Sequence, residues 1–461
     1  MSAVPVLLVI LLALLLPASA RAQDGLAQKP NGTVLSQHEV TIPIPLVTAT
    51  QIEYRSTDAK GNPIAAVTTL IVPDQAYDGT RPLVSYQMAY DSLARQCAPS
   101  ESMVAGTQRE LPSLEPLLQF GYAVAVPDHE GPGDAFTAGP LAGHIVLDGI
   151  RAAQTFLSGR GTPTALFGYS AGGQATAWAA QLQPIYASGL TLQGAAMGGV
   201  PVDLEQLVRA SDGTALAGVG FLSLFGLERQ YGELSLDELL GDQGKAEKAE
   251  AGGECGDQFV TAHQNEHLSD LLLAAGTDPF RIPRVARVIQ ANRLGEVAPT
   301  APVYLFHTTA DQLVPVAGPD ALARRWCRGG TPVYYQRDAT GDHLSYPSTA
   351  SFPAYLWIAG RFNGNGVSQN CGTAPRGAIG SYCARGHSTK FRLRRIDGRR
   401  IVRAVVRLRG IPYKDKDGFA LRRVVIRGLP PGVYSFTVTR YSLSDERTRR
   451  YRRRIRCGDD D

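Results

Sequence analysis

Several features of metal-bound or membrane-embedded proteins are missing from this chain. Its 461 residues include only six cysteines, none of them in a C-x-x-C pair, so the cysteine pattern gives no sign of a zinc ribbon or finger. Beyond the first 22 residues, no stretch is long and apolar enough to cross a bilayer. Internal repeats and low-complexity segments are absent. With these features absent, we expect a globular protein. The chain is long enough to form one large hydrophobic core and a second, smaller one.

The long apolar run stands at the start, in "MSAVPVLLVILLALLLPASARAQDG". Small residues at Ala20 and Ala22 follow it in the pattern of signal cleavage, which predicts a signal peptide over 1–22 and a mature chain beginning near Gln23. No Lys or Arg precedes the run, so an uncleaved anchor is the alternative. In an exported protein an even set of cysteines indicates disulfides. We therefore expect a secreted protein with three of them.

The balance of charge reverses near the carboxyl end, where basic residues outnumber acidic ones. From residue 375 onward there are 24 Lys and Arg against 8 Asp and Glu, whereas the preceding residues carry 22 against 34. Alternating runs such as "KFRLRRIDGRRIVRAVVRLRG" predict strands there, and hence a small all-β, sandwich-like domain over 375–461. We expect anionic membrane or envelope surfaces to attract this domain, and nucleic acid not to be its partner, since an exported protein rarely meets it. Packing against the acidic body is the alternative.

Short β-branched runs alternate with helical patterns over most of 23–374, as in "YAVAVPD" and "HIVLDGIRAAQTFL". That alternation predicts an α/β fold with a mostly parallel sheet covered by helices. The rhythm breaks at about 204–297, which indicates an inserted helical cap. The large apolar residues of its "GVGFLSLFGL" either line an acyl site or pack as the underside of the cap; they are Phe221, Leu222, Leu224, Phe225 and Leu227.

The stretch "LFGYSAGG" at 166–173 contains a G-x-S-x-G motif centred on Ser170, between a predicted strand and a predicted helix. A nucleophilic serine must project its hydroxyl from a tight turn, and glycines at 168 and 172 remove the bulk that would block that turn. The motif alone also occurs in ordinary turns. Its strand-to-helix context favours a catalytic serine here.

A serine hydroxyl needs a base, usually a histidine oriented by a carboxylate. His343, in the loop "DATGDHLSYP" between a strand and the last helix of the body, is our predicted base. His307 lies inside a strand and is expected to be a core histidine, while His387 belongs to the basic segment. The predicted acid is Asp311, which follows the run "VYLFHTTA", with a turn or helix-capping role as its alternative.

The remaining requirement is an oxyanion site made of two backbone N–H groups. The residue after the serine, Ala171, supplies one in this type of motif. Asp91, at the end of the strand run "SYQMAYDS", is a candidate for the other. Asp338 and Asp342 are weaker choices for the acid than Asp311, because they share the loop of the histidine.

Five ordered motifs give the chain a family resemblance: "YDS" at 90–92, "DHEGPG" at 128–133, "GYSAGG" at 168–173, "TADQLVP" at 309–315 and "GDHLSYP" at 341–347. Together they resemble the secretory lipases, the bacterial and fungal group of the Candida lipase A type. The resemblance spans roughly residues 40–370. It implies an α/β-hydrolase fold with a helical cap, a triad and an oxyanion hole, formed by Ser170, Asp311 and His343 and by Asp91 and Ala171.

The resemblance also implies disulfides. It pairs Cys97 with Cys255 and Cys327 with Cys371, which leaves Cys383 and Cys457 for the tail. Nothing in it covers the basic segment.

Two other clusters of polar residues are candidates for a chemical role. "HQNEH" at 263–267 matches the H-x-x-E-H zinc pattern, but it has no identifiable third ligand, and two solvated histidines explain it more simply. "DHEGPG" precedes the serine and is expected to form a structural turn beside the site instead of transferring protons. We therefore expect neither a catalytic metal nor a cofactor.

These observations predict a secreted serine esterase or lipase that works through an acyl-enzyme on lipid or similar esters. An acyltransferase would use the same three side chains, and a peptidase is a less favoured use of them. A catalytically silent binding protein would leave five matching motifs without a purpose.

Overall fold

The computed structural model describes residues 25–274, 276–373, 387–408, 411–429 and 432–455. The expected signal peptide and the expected pair of Cys383 and Cys457 lie outside the described residues. None of the helices in these ranges combines the length and the apolar character needed to cross a membrane.

A nine-stranded sheet forms the body, in the order β1-β2-β3-β5-β4-β6-β7-β8-β9. Strands β1, β2 and β3 pair in antiparallel fashion, and β3 is also antiparallel to β5. The six strands β5, β4, β6, β7, β8 and β9, in their order across the sheet, are parallel to one another. The strands are β1 (Val34–Val40), β2 (Val47–Thr57), β3 (Pro63–Pro73), β4 (Leu83–Gln87), β5 (Ala123–Pro127), β6 (Thr164–Tyr169), β7 (Leu192–Gly198), β8 (Val303–Thr308) and β9 (Val333–Asp338).

Helices cover both faces of this sheet, and the side chains of each central strand alternate between two apolar layers. Leu166 of β6 belongs to one layer and Phe167 to the other. The helices of the described residues are α1 (Pro99–Val104), α2 (Leu111–Gln119), α3 (Gly139–Gln154), α4 (Ala171–Tyr186), α5 (Leu204–Ser211), α6 (Ala217–Gln230), α7 (Asp242–Glu250), α8 (Gly256–Ala262), α9 (Leu268–Leu271), α10 (Pro283–Ala291), α11 (Ala317–Arg328) and α12 (Pro347–Phe362). Single 3₁₀ turns occupy Arg95–Cys97, Gly159–Gly161, Gly232–Leu234, Leu236–Glu238, Pro279–Arg281 and Cys371–Thr373.

Helices α3, α4 and α11 contribute to the first layer, and α2 and α12 contribute to the second. The close packing of α3 on α4 requires glycine at 143, because a Cβ there would lie 2.9 Å from the backbone carbon of Trp178. The result is a three-layer α/β architecture with the sheet in the middle, as the alternating sequence pattern predicts.

Helices α5 to α10 all lie between β7 and β8, where the sequence pattern predicts inserted helices. The five large apolar residues of "GVGFLSLFGL" fall in α6 and are at most 4% exposed. They belong to the same apolar layer as α3 and α4. This burial favours the packing interpretation of that stretch over the acyl-lining one.

The basic segment forms strands β10 (His387–Arg392), β11 (Ile401–Leu408), β12 (Ile411–Leu421), β13 (Arg423–Leu429), β14 (Gly432–Tyr441) and β15 (Glu446–Ile455). β10 pairs with β13, and the other four form a sheet in the order β12-β11-β14-β15. Ten buried side chains, Phe391 and Phe436 among them, make a small core of their own. The expected all-β character of this segment is confirmed.

Two disulfides join the described cysteines. Cys97 pairs with Cys255 and Cys327 with Cys371, both with Cα–Cα distances of 5.5 Å. These are the two pairs that the family resemblance implies.

Candidate active site

Ser170 stands on a sharp turn between the end of β6 at Tyr169 and the start of α4 at Ala171. Its backbone has φ 55° and ψ −122°, a conformation that residues other than glycine rarely adopt, and its N–H donates to the carbonyl of Gly198 at 3.0 Å. Such strain costs about 1–3 kcal/mol and persists only where the surroundings hold it in place. The turn therefore holds the hydroxyl at the carboxyl edge of the sheet.

The glycines of the motif are a steric requirement. A Cβ at Gly168 would lie 2.1 Å from the carbonyl oxygen of Gly172, and a Cβ at Gly172 would lie 1.9 Å from that of Gln87. Neither oxygen can move away, because both belong to backbone. Glycine at these two positions is what allows strand and helix to meet at so sharp a turn.

His343 lies in the loop that follows β9, and its ring joins the two other predicted residues. Its Nε2 is 2.7 Å from the Oγ of Ser170, and its Nδ1 is 2.8 Å from the Oδ2 of Asp311. All three residues are at most 9% exposed. The structure thus brings together, within hydrogen-bonding distance, three residues that are far apart in sequence.

Asp311 is held in position by backbone as well as by the imidazole. Its Oδ1 accepts hydrogen bonds from the N–H groups of Leu313 and Val314, at 3.0 and 2.7 Å. Burial raises the pKa of this carboxyl, but the hydrogen bond and the charge of His343 and the Val314 N–H outweigh that effect, so the pKa lies below its ordinary value. Asp311 is therefore ionised at neutral pH and can orient an imidazole.

Two further residues position His343, and the sequence analysis did not identify them. The Oε1 of Gln312 accepts from the His343 N–H at 2.9 Å, and the hydroxyl of Tyr169 donates to the His343 carbonyl at 2.8 Å. Tyr169 is the second residue of the G-x-S-x-G motif, where any residue type is allowed. Its position beside the serine was the only available signal.

The alternative acids have other partners. Asp342 accepts from the N–H groups of Leu344 and Ser345 within its own exposed turn, and Asp338 accepts from the hydroxyl of Tyr346. His307 is fully buried in β8, as expected of a core histidine.

The two oxyanion candidates flank this site. Ala171 is the first residue of α4, and the first N–H groups of a helix have no partner within it. Asp91 follows β4 in a loop with φ 43°. Burial raises the pKa of its carboxyl to about 6 and the charge of His343 opposes that rise, so the Asp91 side chain is within electrostatic reach of the histidine.

The "DHEGPG" stretch forms a turn, as expected. One residue of this turn, Glu130, also lies beside the candidate site, which its sequence position did not indicate. The carboxylate of Asp128 accepts from Ser100 and Arg95, and the His129 ring contacts the Met88 carbonyl at 2.8 Å. Glu130 is 2% exposed and neither of its oxygens has a hydrogen-bond partner. It lines a small pocket together with the oxyanion candidate Ala171.

The surroundings of Glu130 favour the protonated form of its carboxyl group. Burial and the neighbouring carboxylates Asp91, Asp134 and Asp128 raise its pKa well above the ordinary value, and Arg229 only partly opposes them. A raised pKa means that the folded chain keeps a proton that the unfolded chain releases. The stability contributed by this proton is present at acid pH and is lost as pH rises above about 4.5.

We therefore expect Glu130→Gln, a neutral residue of the same shape, to raise the melting temperature at pH 8 by roughly 2 °C and to leave it nearly unchanged at pH 4. Circular dichroism melts of both proteins at the two pH values measure this difference. Equal shifts at both pH values would show that the proton on Glu130 plays no part.

The "HQNEH" stretch does not form the paired-histidine helix of zinc proteases. Helix α8 ends at Ala262, and residues 263–265 form a turn. His267 is largely exposed and lies 3.7 Å from Asp212 instead of beside His263.

The family model of the secretory lipases matches residues 97–370, more than half of the chain, which includes the three residues joined by hydrogen bonds. This chain belongs to the secretory lipase family. A probable inactive lipase of Mycobacterium tuberculosis is 36% identical to it over 359 residues, which cover 74% of this chain and 80% of that protein. A secreted triacylglycerol lipase of Malassezia furfur is 31% identical over 76% of this chain and 80% of its own length.

Among solved structures, the closed state of Candida antarctica lipase A is similar to this secretory lipase with a TM-score of 0.71 and 26% identity, over 77% of this chain and 87% of that one. The α/β-hydrolase fold and the family resemblance are thereby confirmed. The family match ends before the basic segment begins.

Proposed function

We propose that this secretory lipase is an exported serine hydrolase that cleaves carboxylic esters of lipids through an acyl-enzyme. The observation that carries the proposal is the continuous chain of hydrogen bonds from the Oγ of Ser170 through His343 to Asp311, with contacts of 2.7 and 2.8 Å. Ester or lipid substrates agree with the family. Both disulfides agree with an oxidising compartment.

In the proposed reaction the Ser170 proton passes to Nε2 of His343 while Oγ bonds to the ester carbonyl carbon. The carbonyl oxygen becomes an oxyanion, and the N–H groups of Asp91 and Ala171 donate to it. His343 then gives its proton to the leaving alcohol, and the acyl group stays on Ser170. A water molecule repeats the sequence and releases the acid.

The Mycobacterium tuberculosis relative is named as a probable inactive lipase, and that description concerns the relative alone. In the present chain each of the three roles has a side chain of the required type within hydrogen-bonding distance of the next. Together with the strained turn at Ser170 and the ionised Asp311, this supports an active enzyme.

Access to Ser170 requires movement in our proposal. The serine is 8% exposed and His343 is 3% exposed in this conformation. Helix α6, which we assign to a cap over about 204–297, packs on the loop that lines the small pocket: the Thr137 hydroxyl donates to the Ser223 carbonyl at 3.1 Å. A long acyl chain needs more room than this closed arrangement leaves, so the cap must open for it.

The deciding experiment is product analysis with purified protein and esters of increasing acyl length, in water and with a dilute competing alcohol. We expect free acid as the main product in both, because water is the acceptor in our mechanism. A majority of transferred ester at low alcohol concentration would identify an acyltransferase. Cleavage of matched amides at a comparable rate would identify a peptidase.

We also propose that the basic segment, 375–461, is a separate domain that binds anionic surfaces. Arg450 and Arg452 are exposed on β15. Tyr451 lies between them on the strand, and its ring centroid is 5.1 Å from that of the core residue Phe391. Because successive side chains of a strand point to opposite faces, the two arginines face away from that core. They form a basic patch that a surface of opposite charge can reach.

Arg450→Glu with Arg452→Glu is expected to weaken binding to phosphatidylglycerol vesicles at least tenfold in low salt, at about 1 kcal/mol for each arginine charge near such a surface. Turnover of soluble short esters should stay unchanged. Vesicle sedimentation measures the binding. Arg281→Glu, at an exposed arginine outside the segment, is the matched control. Unchanged vesicle binding by the double variant, or binding that ignores salt, would contradict this role.

A further inference from the structure

Three side chains of types that bind metal ions lie close together outside the candidate active site. All three belong to the inserted helical segment that connects β7 to β8 in the sequence. Glu247 comes from α7, His263 immediately follows α8, and Glu266 lies in the segment before α9. One ligand atom from each residue lies within 4.8 Å of the other two. The three residues are therefore close enough to share one ion.

The distances suit a small cation. His263 Nδ1 is hydrogen-bonded to Glu266 Oε2 at 3.2 Å and lies 3.5 Å from Glu247 Oε2. In a tetrahedral zinc site with bonds of about 2.0–2.1 Å, neighbouring ligand atoms are about 3.3–3.4 Å apart, the edge length of the tetrahedron. The two measured separations bracket that edge.

Burial makes an ion-free arrangement costly. Glu247 is 5% exposed and His263 is 7% exposed. The Oε2 atom of Glu247, which faces the imidazole, is buried and has no hydrogen-bond partner. A carboxylate removed from water without such a partner is strongly unfavourable, and a second carboxylate beside it adds repulsion. A divalent cation would satisfy both carboxylates at once.

One neighbouring group holds a candidate ligand in place by a hydrogen bond, and a further carboxylate lies near the imidazole without bonding to it. The other ring nitrogen of His263, Nε2, points towards the Glu250 carboxylate at 3.6 Å. The Gln243 side chain donates to the second oxygen of Glu247 at 2.9 Å. Metal-bound histidines usually direct their free N–H to a carboxylate, and metal-bound carboxylates are themselves hydrogen-bonded.

We propose that Glu247, His263 and Glu266 form a binding site for a divalent transition-metal cation of the zinc class, which cross-links α7, α8 and the segment before α9. One imidazole with two carboxylates suits Zn²⁺, whereas Ca²⁺ and Mg²⁺ favour sites made of oxygen alone. The site differs from the H-x-x-E-H pattern: the glutamate of that motif is a ligand here, and its second histidine takes no part.

Isothermal titration of the full secreted protein, stripped with chelator, with ZnCl₂ tests this site. We expect one ion per chain and a rise in melting temperature of roughly 4 °C at a hundredfold excess over the dissociation constant. CaCl₂ and MgCl₂ at the same concentration should give no comparable rise. No zinc binding by the wild-type protein would overturn the proposal.

Variants locate the ion. His263→Gln and Glu247→Gln are each expected to weaken zinc binding at least tenfold. His267→Gln, four residues away and exposed, is the matched control and should bind as the wild type does. Glu266→Gln, at a partly exposed position, provides the same test if the two buried variants fail to fold. Wild-type affinity in any folded variant of the three ligands would overturn the assignment.

Discussion

Ser170→Ala is expected to lower kcat on soluble p-nitrophenyl esters by about 10⁴-fold or more, with little change in melting temperature. The Oγ of Ser170 is the atom that becomes acylated in our proposal, and no other hydroxyl can occupy its place on the strained turn. Steady-state kinetics with the purified variant measure the loss. A fluorophosphonate probe should label the wild-type protein and leave the variant unlabelled.

Ser223→Ala is the matched control, because Ser223 is also a buried serine, and its hydroxyl donates only to the Val219 carbonyl, at 2.7 Å. It should keep near wild-type kcat and label normally. Retention of a tenth or more of wild-type turnover by Ser170→Ala would contradict the acyl-enzyme mechanism.

Asp311→Asn is expected to lower kcat by about 10²- to 10⁴-fold, somewhat less than the serine replacement. The amide oxygen can still accept from the N–H groups of Leu313 and Val314, so the amide NH₂ is left facing Nδ1 of His343. That nitrogen must then act as acceptor, which places the imidazole proton on Nε2 and prevents Nε2 from accepting the serine proton. The loss therefore comes from the wrong tautomer.

The comparison variant for that experiment is Asp342→Asn. Asp342 immediately precedes His343, yet its carboxylate accepts only within its own exposed turn, from Ser345 and Leu344. It should change kcat by less than about threefold. Equal losses in the two variants would mean that Asp311 does not orient the histidine.

Much of the fold and the three hydrogen-bonded residues of the site could be predicted from sequence, because each depends on a local pattern. The turn at Ser170 requires glycines at fixed neighbouring positions, and Asp311 and His343 follow recognisable strand ends. The alternation of apolar runs likewise reports the parallel strands. It did not predict that β1 to β3 are antiparallel, since strand direction depends on the connections and not on composition.

The remaining features depend on where distant segments meet. Glu130 is a turn residue in sequence, and only tertiary packing removes both of its oxygens from solvent. Glu247 lies 16 residues before His263 on another helix, so no motif links the two. The "HQNEH" pattern contains two of the three residues proposed here as ligands, but it does not have the helical geometry that the pattern implies, because residues 263–265 form a turn instead of continuing the helix.

The disulfide between Cys97 and Cys255 constrains any opening of the segment between β7 and β8. The bond joins the start of α8 to the 3₁₀ turn that follows Asp91, and a Cβ at Gly256 would lie 1.9 Å from the Asp91 carbonyl oxygen. Cys255 lies near the middle of that segment, so this point of the segment cannot leave the body of the protein while the bond is intact. In the proposed opening of the cap, the tethered residues beside Asp91 are therefore expected to move less than the parts of the segment that lie far from the bond.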